Sequence, residues 1–490
     1  MSTKQQQITH SFVYLVPVVV GNLVPIITLP ILTRILSPED YGAWALASIY
    51  ATVLGGAAAV GLPIAYDRNF FENKSDHQRA ALLYSVVAFS VVSFTVCAAG
   101  TWLWQEAITL WLIGEGFHRH LVLSSFAATA VALTKGYFMA YLRNTQQAAA
   151  FSSYTIAERL LGAVLTIGFV AWMRIGVLGL VLGQLLGSLA VLIVLGIRTL
   201  RPCPPAFSGP LLVDSLRLGF PLMPRLLLGV VANNVDKYLI GQVASLGGVG
   251  IYTIGQRVAT IAFTYMTALQ NVFGPQVYTR MFSGAPGAGA SIGCYLTPFA
   301  YATTGLALLV ALFSEEILTL LAPDYREAIP VVTILVLYYS IQFFGKMPQI
   351  TYARKTYIVS ILAAVATVLN AACGAAGIWL FGTVGAAWGA LTSGAMMATL
   401  TFVIGQRCFR IEWETGKMVS IFGLLIASAL AILTLRWFAT PYPVLLVVKL
   451  ASAAAFAWLG ARLQILTLEN MLLVRDLVSR RLAPARTGKP

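Results

Sequence analysis

Apolar runs of about twenty residues, repeated along the whole chain, most constrain what this sequence can fold into. LLYSVVAFSVVSFTVCAAGTWLW (82–104) and VSIFGLLIASALAILTL (419–435) are two of them. Such a run matches the thickness of a bilayer core when helical, and a helix satisfies its own backbone hydrogen bonds where no water can. A transmembrane β-barrel needs segments of about ten residues that alternate apolar and polar; these runs are longer and do not alternate. Charged residues make up only 10% of the 490 residues and hydrophobic ones 58%, against roughly 25% charged in ordinary soluble domains. The sequence therefore predicts an all-α polytopic membrane protein.

Fourteen spans are predicted: 12–32, 41–63, 81–104, 119–141, 151–172, 176–197, 213–233, 249–273, 294–313, 329–351, 356–378, 382–405, 418–438 and 441–462. Overcounting one pair would leave twelve. A Pro-rich joint, RPCPPAFSGP (201–210), divides the first six from the rest, and a basic tail closes the chain. The N-terminal MSTKQQQITH has no cleavage-site pattern, so the first apolar run reads as a span.

The formal net charge of +14 raises nucleic-acid binding as a possibility, and its placement argues against it. There is no run of five or six basic residues, and Lys and Arg fall mainly in the joints between apolar segments. With the N-terminus inside, the inner joints hold most of the basic residues, including Arg68, Arg79, Arg143, Arg198, Arg280, Arg407 and the tail from Arg462. The outer joints hold Arg34, Arg119, Arg174, Lys237, Arg326 and Arg436. This asymmetry predicts that both termini are cytoplasmic. The cysteines, Cys97, Cys203, Cys294, Cys373 and Cys408, show no metal-ligand or disulfide spacing, and no cofactor or metal is implied.

The chain restarts near residue 213. Pro17, Pro25 and Pro30 interrupt the first span and Pro221 and Pro224 the seventh; in both places a Gly precedes an aromatic residue at the start of the next span. Two six-helix lobes of alternating-access type follow from such a repeat. The domain reading is an N-terminal lobe (1–200), a C-terminal lobe (211–410), two additional helices (411–463) and a cytoplasmic tail (464–490).

Ionisable or amide side chains at membrane depth are functional candidates because burying them is costly. These are Asn22 and Arg34 near the first span, Lys135 in the fourth, Glu158 and Arg159 in the fifth, Arg225, Asn233, Asn234, Asp236 and Lys237 around the seventh, Arg257 in the eighth and Lys346 in the tenth. Glu158 and Arg159 point about 100° apart on a helix and do not pair with each other. No carboxylate reads as central, and Lys135 reads as close to a polar helix end. The set is mainly basic, which suits a phosphate or pyrophosphate ligand. The joints are short, and no HExxH, paired-Asp or phosphate-cradling Gly-rich motif suggests an enzyme.

LPILTRILSPEDYGAWALA (29–47), the stretch FPLMPRLLLGVVANNVDKYLIGQVASLGGVGIYTIGQRVA (220–259) and the twelve-plus-two span plan resemble the bacterial polysaccharide-export flippases of O-antigen and exopolysaccharide biosynthesis. Their superfamily also holds multidrug extruders and the peptidoglycan lipid flippase. The resemblance implies a non-enzymatic transporter in the inner membrane that moves a polyprenyl-pyrophosphate-linked oligosaccharide from the cytoplasmic to the outer leaflet. It implies Arg34, Arg225, Lys237 and Arg257 as pyrophosphate-binding residues in a cavity between lobes. The partners implied are the lipid bilayer, the lipid-linked oligosaccharide and a polysaccharide polymerase or export proteins, with no nucleic acid. A cation-coupled multidrug exporter and a peptidoglycan-precursor flippase are the alternatives.

Overall fold

The computed structural model describes residues 16–73, 75–114, 120–200, 204–345 and 348–465, without the side chains of 16–19, 22, 23, 26, 272 and 356. Lys346, the side chain of Asn22 and nearly all of the basic tail lie outside these residues. The chain divides into two compact units between Gly241 and Gln242.

The first unit contains α1 (Val16–Thr33), α2 (Pro38–Ala58), α3 (Leu62–Glu72), α4 (Asp76–Leu103), α5 (Gln105–Leu112), α6 (His120–Asn144), α7 (Ala148–Ile167), α8 (Val177–Leu200), α9 (Gly209–Gly219) and α10 (Met223–Ala232). The short helix α11 (Val235–Val243) crosses the division. The second unit contains α12 (Leu246–Phe282), α13 (Ala288–Leu312), α14 (Ser314–Thr319), α15 (Ala328–Gly345), α16 (Gln349–Tyr352), α17 (Thr356–Cys408), α18 (Thr415–Trp437) and α19 (Tyr442–Arg462). Among the described residues, ten helices are long and apolar enough to cross a membrane, or eleven if the bent pair α2 and α3 counts as one span.

Short local signals set the helix starts. Ser37 and Asp40 form a reciprocal capping box at α2, with Pro38 in the first turn, so donors that have no partner at a helix start are satisfied. Ser245 caps α12 by accepting from the Gly248 backbone N–H. The second predicted span bends by 43° between α2 and α3. The bend uses Gly61, whose φ of +70° disfavours any other residue. A Cβ on Gly61 would lie 2.2 Å from the Gly219 carbonyl oxygen, so this glycine also lets α9 approach backbone to backbone.

The segment predicted as the seventh span is broken. A single 3-10 turn, Phe220–Leu222, separates α9 from α10, where Pro221 and Pro224 interrupt the ladder of backbone bonds. This segment packs within the first unit, α9 on α3 and α4 and α10 on α2, whereas the sequence reading groups it with the C-terminal lobe.

Two helical hairpins close through glycine. In the first unit α7 ends in a π-helical turn, Gly168–Trp172, the chain reverses at Gly176 (φ +68°), and α8 returns along α7. Cβ atoms on Gly183 and Gly187 would lie 2.5 Å from the Thr166 N and 2.8 Å from the Gly162 Cα. In the second unit α17 is two helical arms joined at Gly382, where the chain reverses (φ 59°, ψ −139°). A Cβ on Gly389 would lie 2.4 Å from the Cys373 carbonyl oxygen, and Gly377 and Gly385 meet still more closely. Such pairings require the two arms of α17 to run antiparallel, with a joint where the sequence predicts one. Small residues allow close packing where lipid gives helices no hydrophobic reason to associate.

Large apolar side chains point outward. Trp172 (90% exposed), Trp379 (80%) and Trp437 (87%) stand at helix ends, as side chains at a membrane-water interface do.

Candidate functional site

The strongest polar cluster in the first unit forms where α6, α7 and α8 pack together. Lys135 of α6 is 8% exposed and makes an ion pair with Glu158 of α7. Ser188 of α8 donates to Glu158 Oε1 at 2.6 Å, and Lys135 Nζ reaches Ser188 Oγ at 3.4 Å. Ser188 lies at the midpoint of α8, a helix of 24 residues, so the cluster sits at mid-span, far from the helix ends. This corrects two expectations: a carboxylate is central, and Lys135 is deep. Its physical basis is the α7/α8 hairpin, whose glycines bring Glu158 within reach of a side chain thirty positions on. The stripe Gly179, Gly183, Gly187 was the sequence signal that could have shown which faces meet. Arg159, next to Glu158, is exposed.

The four residues implied as pyrophosphate ligands are not brought together within one unit. Arg34, exposed, lies in the turn after α1, and Arg225, exposed, on α10. Lys237 is half-buried and its Nζ donates to Asn234 Oδ1 at 3.3 Å. Arg257, exposed, belongs to α12 in the second unit. Asn233 and Asn234 donate back to the Gly229 and Val230 carbonyls at 2.8 and 2.9 Å, finishing α10. Asp236 is buried and accepts from the Lys237 backbone N–H at 2.9 Å, so it helps to start α11.

Sequence reasoning missed the most buried cation among the described residues. Lys449 of α19 has no exposed surface; its Nζ donates to Glu315 Oε2 at 3.0 Å and to Glu316 Oε1 at 2.7 Å. Arg436 of α18 pairs with Glu315 at 2.5 Å, and the Tyr442 hydroxyl donates to Glu316 at 2.9 Å. Burial raises the Glu315 pKa, but hydrogen bonds from Arg436 and Lys449 outweigh it and hold that carboxyl below its ordinary value. The cluster ties α18 and α19 to α14. A lysine inside the apolar run 441–462 was visible in the sequence, but its carboxylate partners lie more than a hundred residues earlier.

Among the described residues no group of three or more His, Cys, Asp or Glu is placed to hold a metal ion. The arrangement offers cations and buried ion pairs, which suit binding and conformational change.

Comparison with known folds agrees with this organisation. The structure is similar to the lipid II flippase MurJ in an inward closed conformation, with a TM-score of 0.67 at 12% identity over 93% of this chain and 100% of that one. It is also similar to an inward-facing multidrug resistance MATE family transporter of the MOP superfamily, with a TM-score of 0.58 at 16% identity over 80% of this chain and 97% of that one. A Vibrio cholerae MATE transporter, VcmN, gives a TM-score of 0.53 at 14% identity over 83% and 97%. No curated protein sequence matches the chain. The family described as polysaccharide biosynthesis protein matches residues 9–275, more than half of the chain, starting before α1 and ending inside α12. With its helical fold and its repeated apolar spans, the chain thus belongs to the polysaccharide biosynthesis protein family.

Proposed function

We propose that this protein is a flippase, which moves a polyprenyl-pyrophosphate-linked oligosaccharide from the cytoplasmic to the outer leaflet of the bacterial inner membrane. The observation that carries this reading is the family match over residues 9–275 together with a fold shared along 93% of the chain with a lipid II flippase. The head group crosses while the lipid tail stays in the bilayer, and no covalent bond is made or broken.

The same reading takes the chain as fourteen spans with both ends cytoplasmic, built as lobes 1–200 and 211–410, two additional helices (411–463) and a tail (464–490). The helix starts support a repeat: Ser37, Gly42 and Trp44 of the α2 start recur in the same order and spacing as Ser245, Gly250 and Tyr252 of α12. The hairpins support it again. Gly176, Gly179, Gly183 and Gly187 have the same spacing as Gly382, Gly385, Gly389 and Ser393, and both sets begin with a positive-φ glycine at the reversal.

Arg34, Arg225, Lys237 and Arg257 receive the pyrophosphate. Three of them, Arg34, Arg225 and Arg257, stand at exposed positions, and Arg offers a fork that matches phosphate oxygens. Asn22 and Lys346 are secondary candidates for the head group. Reconstitution tests the function: proteoliposomes with labelled lipid-linked oligosaccharide should lose their leaflet asymmetry faster than protein-free vesicles. A rate equal to that of empty vesicles, with folded protein and with ion gradients of either sign, refutes it.

A further inference from the structure

We infer that the groove between α18 and α19 is a docking site for this chain's own C-terminal segment, residues 466–474, which continues directly from α19. The two helices pack on each other and leave between them a groove of about 390 Å³, lined by Ser420, Gly423 and Ala427 of α18 and by Ala455, Trp458 and Leu459 of α19. The Ser420 hydroxyl donates back to the Gly416 carbonyl at 2.8 Å, so the groove offers hydrocarbon and no free side-chain donor. A Cβ on Gly423 would have no atom within 4 Å, which leaves the floor open. The lining residues fall in the first half of α18 and the last third of α19. The groove therefore lies at the end of the bundle where the chain leaves α19.

The exit from α19 turns the chain back. Gln464 has φ +53°; its N–H donates to the Ala461 carbonyl at 3.1 Å, and the Ile465 N–H donates to the Gly460 carbonyl at 3.0 Å. This pair of bonds around a left-handed residue is a reversal that commonly lays the next apolar side chain on the last turn of the helix, here the turn of Leu459. Ile465 is 4% exposed although it follows the last helix.

Composition identifies the occupant. Of the nine residues from Leu466 to Val474, six are apolar and Glu469 alone is charged; the sixteen that follow carry five basic residues and Asp476. The first stretch suits an apolar groove, and the charges of the second oppose entry into hydrocarbon, so the docked stretch ends near Val474. Lipid chains compete for the same surface. The segment has the advantage of a tether, which presents it to the groove at an effective concentration on the order of millimolar. The inference does not depend on the flippase reading.

A photo-crosslinking residue, p-benzoylphenylalanine in place of Trp458, tests the inference in the full chain in lipid nanodiscs, with the adducts identified by mass spectrometry after irradiation. Adducts should form with residues 466–474 of the same chain, and ending the chain at Ile465 should replace them by lipid adducts. Gly423→Leu fills the open floor and should remove most of the segment adduct. The same probe at Val447, an exposed position of α19 outside the groove, should label lipid alone. Lipid adducts alone from the Trp458 position, adducts with a second copy seen as a covalent dimer, or a segment adduct unchanged by Gly423→Leu each overturn the proposal. If the Trp458 variant is not monodisperse, the probe at Val419, on the α18 wall and exposed, must give the segment adduct; lipid adducts alone there overturn the proposal equally.

Discussion

Replacing Gly183 by alanine puts the glycine hairpin under direct test. A Cβ at Gly183 would lie 2.3 Å from Thr166 Oγ1, 2.5 Å from its backbone N and 2.6 Å from its Cα. The hydroxyl can rotate away, but the backbone of α7 cannot. Ordinary contact begins at 3.4 Å, so α7 and α8 must part by about 0.9 Å at this level. Overpacking of this kind costs about 1–3 kcal/mol. Because Ser188 lies little more than one turn further along α8, the separation also stretches its 2.6 Å bond to Glu158 toward the limit of hydrogen bonding. Losing a bond to a charged group costs about 1.5–3 kcal/mol. Alanine returns about 1 kcal/mol of helix propensity, which leaves a net destabilisation of about 1.5–5 kcal/mol.

Gly196 supplies the control on the same helix. No atom lies within 4 Å of its virtual Cβ, so Gly196→Ala should be neutral or stabilising by up to about 1 kcal/mol. Reversible unfolding in mixed micelles, followed by circular dichroism, measures both variants against wild type. Equal stability of Gly183→Ala and Gly196→Ala would refute the claim that backbone contact at Gly183 sets the spacing of the two helices.

Lys449→Met should destabilise the protein by about 3–5 kcal/mol in the same unfolding assay, because it leaves Glu315 and Glu316 without their buried cation; adding E315Q and E316Q should recover part of the loss, and no recovery would show that packing rather than charge is at stake. Glu315 has a lowered pKa, so its contribution to stability is complete above the ordinary carboxylate value and is lost as pH falls through the lower folded value; wild type should therefore lose stability on acidification in a way that Glu315→Gln does not, and parallel acid profiles count against that linkage. Arg225→Gln and Arg257→Gln should each slow flipping of lipid-linked oligosaccharide by about tenfold or more, as expected for one lost charge-assisted bond, with normal unfolding curves; unchanged rates in both would remove these residues from the pyrophosphate pathway.

Much of the fold was legible because a bilayer leaves few options. Apolar runs of span length located the helices, and proline and glycine located the joints. The sequence was less informative where two features cancelled or merged. The span predicted over 41–63 stops two residues past Gly61, so the bend and the amphipathic helix beyond it, with Asp67, Arg68 and Glu72, lie where the apolar run gives out. The span predicted over 213–233 showed its prolines, Pro221 and Pro224, but not that α9 and α10 are separated by a 3-10 turn of only three residues. The site was less legible still: Lys135, Glu158 and Ser188 come from three helices, and beyond the glycine stripe of α8 the single sequence carries no signal of which helical faces meet. Individual candidates were identifiable by their cost in an apolar run, but their pairings were not.

The pairings change what the basic residues imply. Counted from the sequence, Lys135, Arg159, Arg225, Arg257, Lys346 and Lys449 all place positive charge in or beside predicted spans. In the structure Lys135 is balanced by Glu158, and Lys449 by Glu315 and Glu316, so neither adds net positive potential in its resting state. Fixed positive charge at exposed positions is then carried by Arg159 and Arg225. Arginine remains charged at any physiological pH, so binding by these residues alone would favour the pyrophosphate equally at every stage of transport and would slow its release.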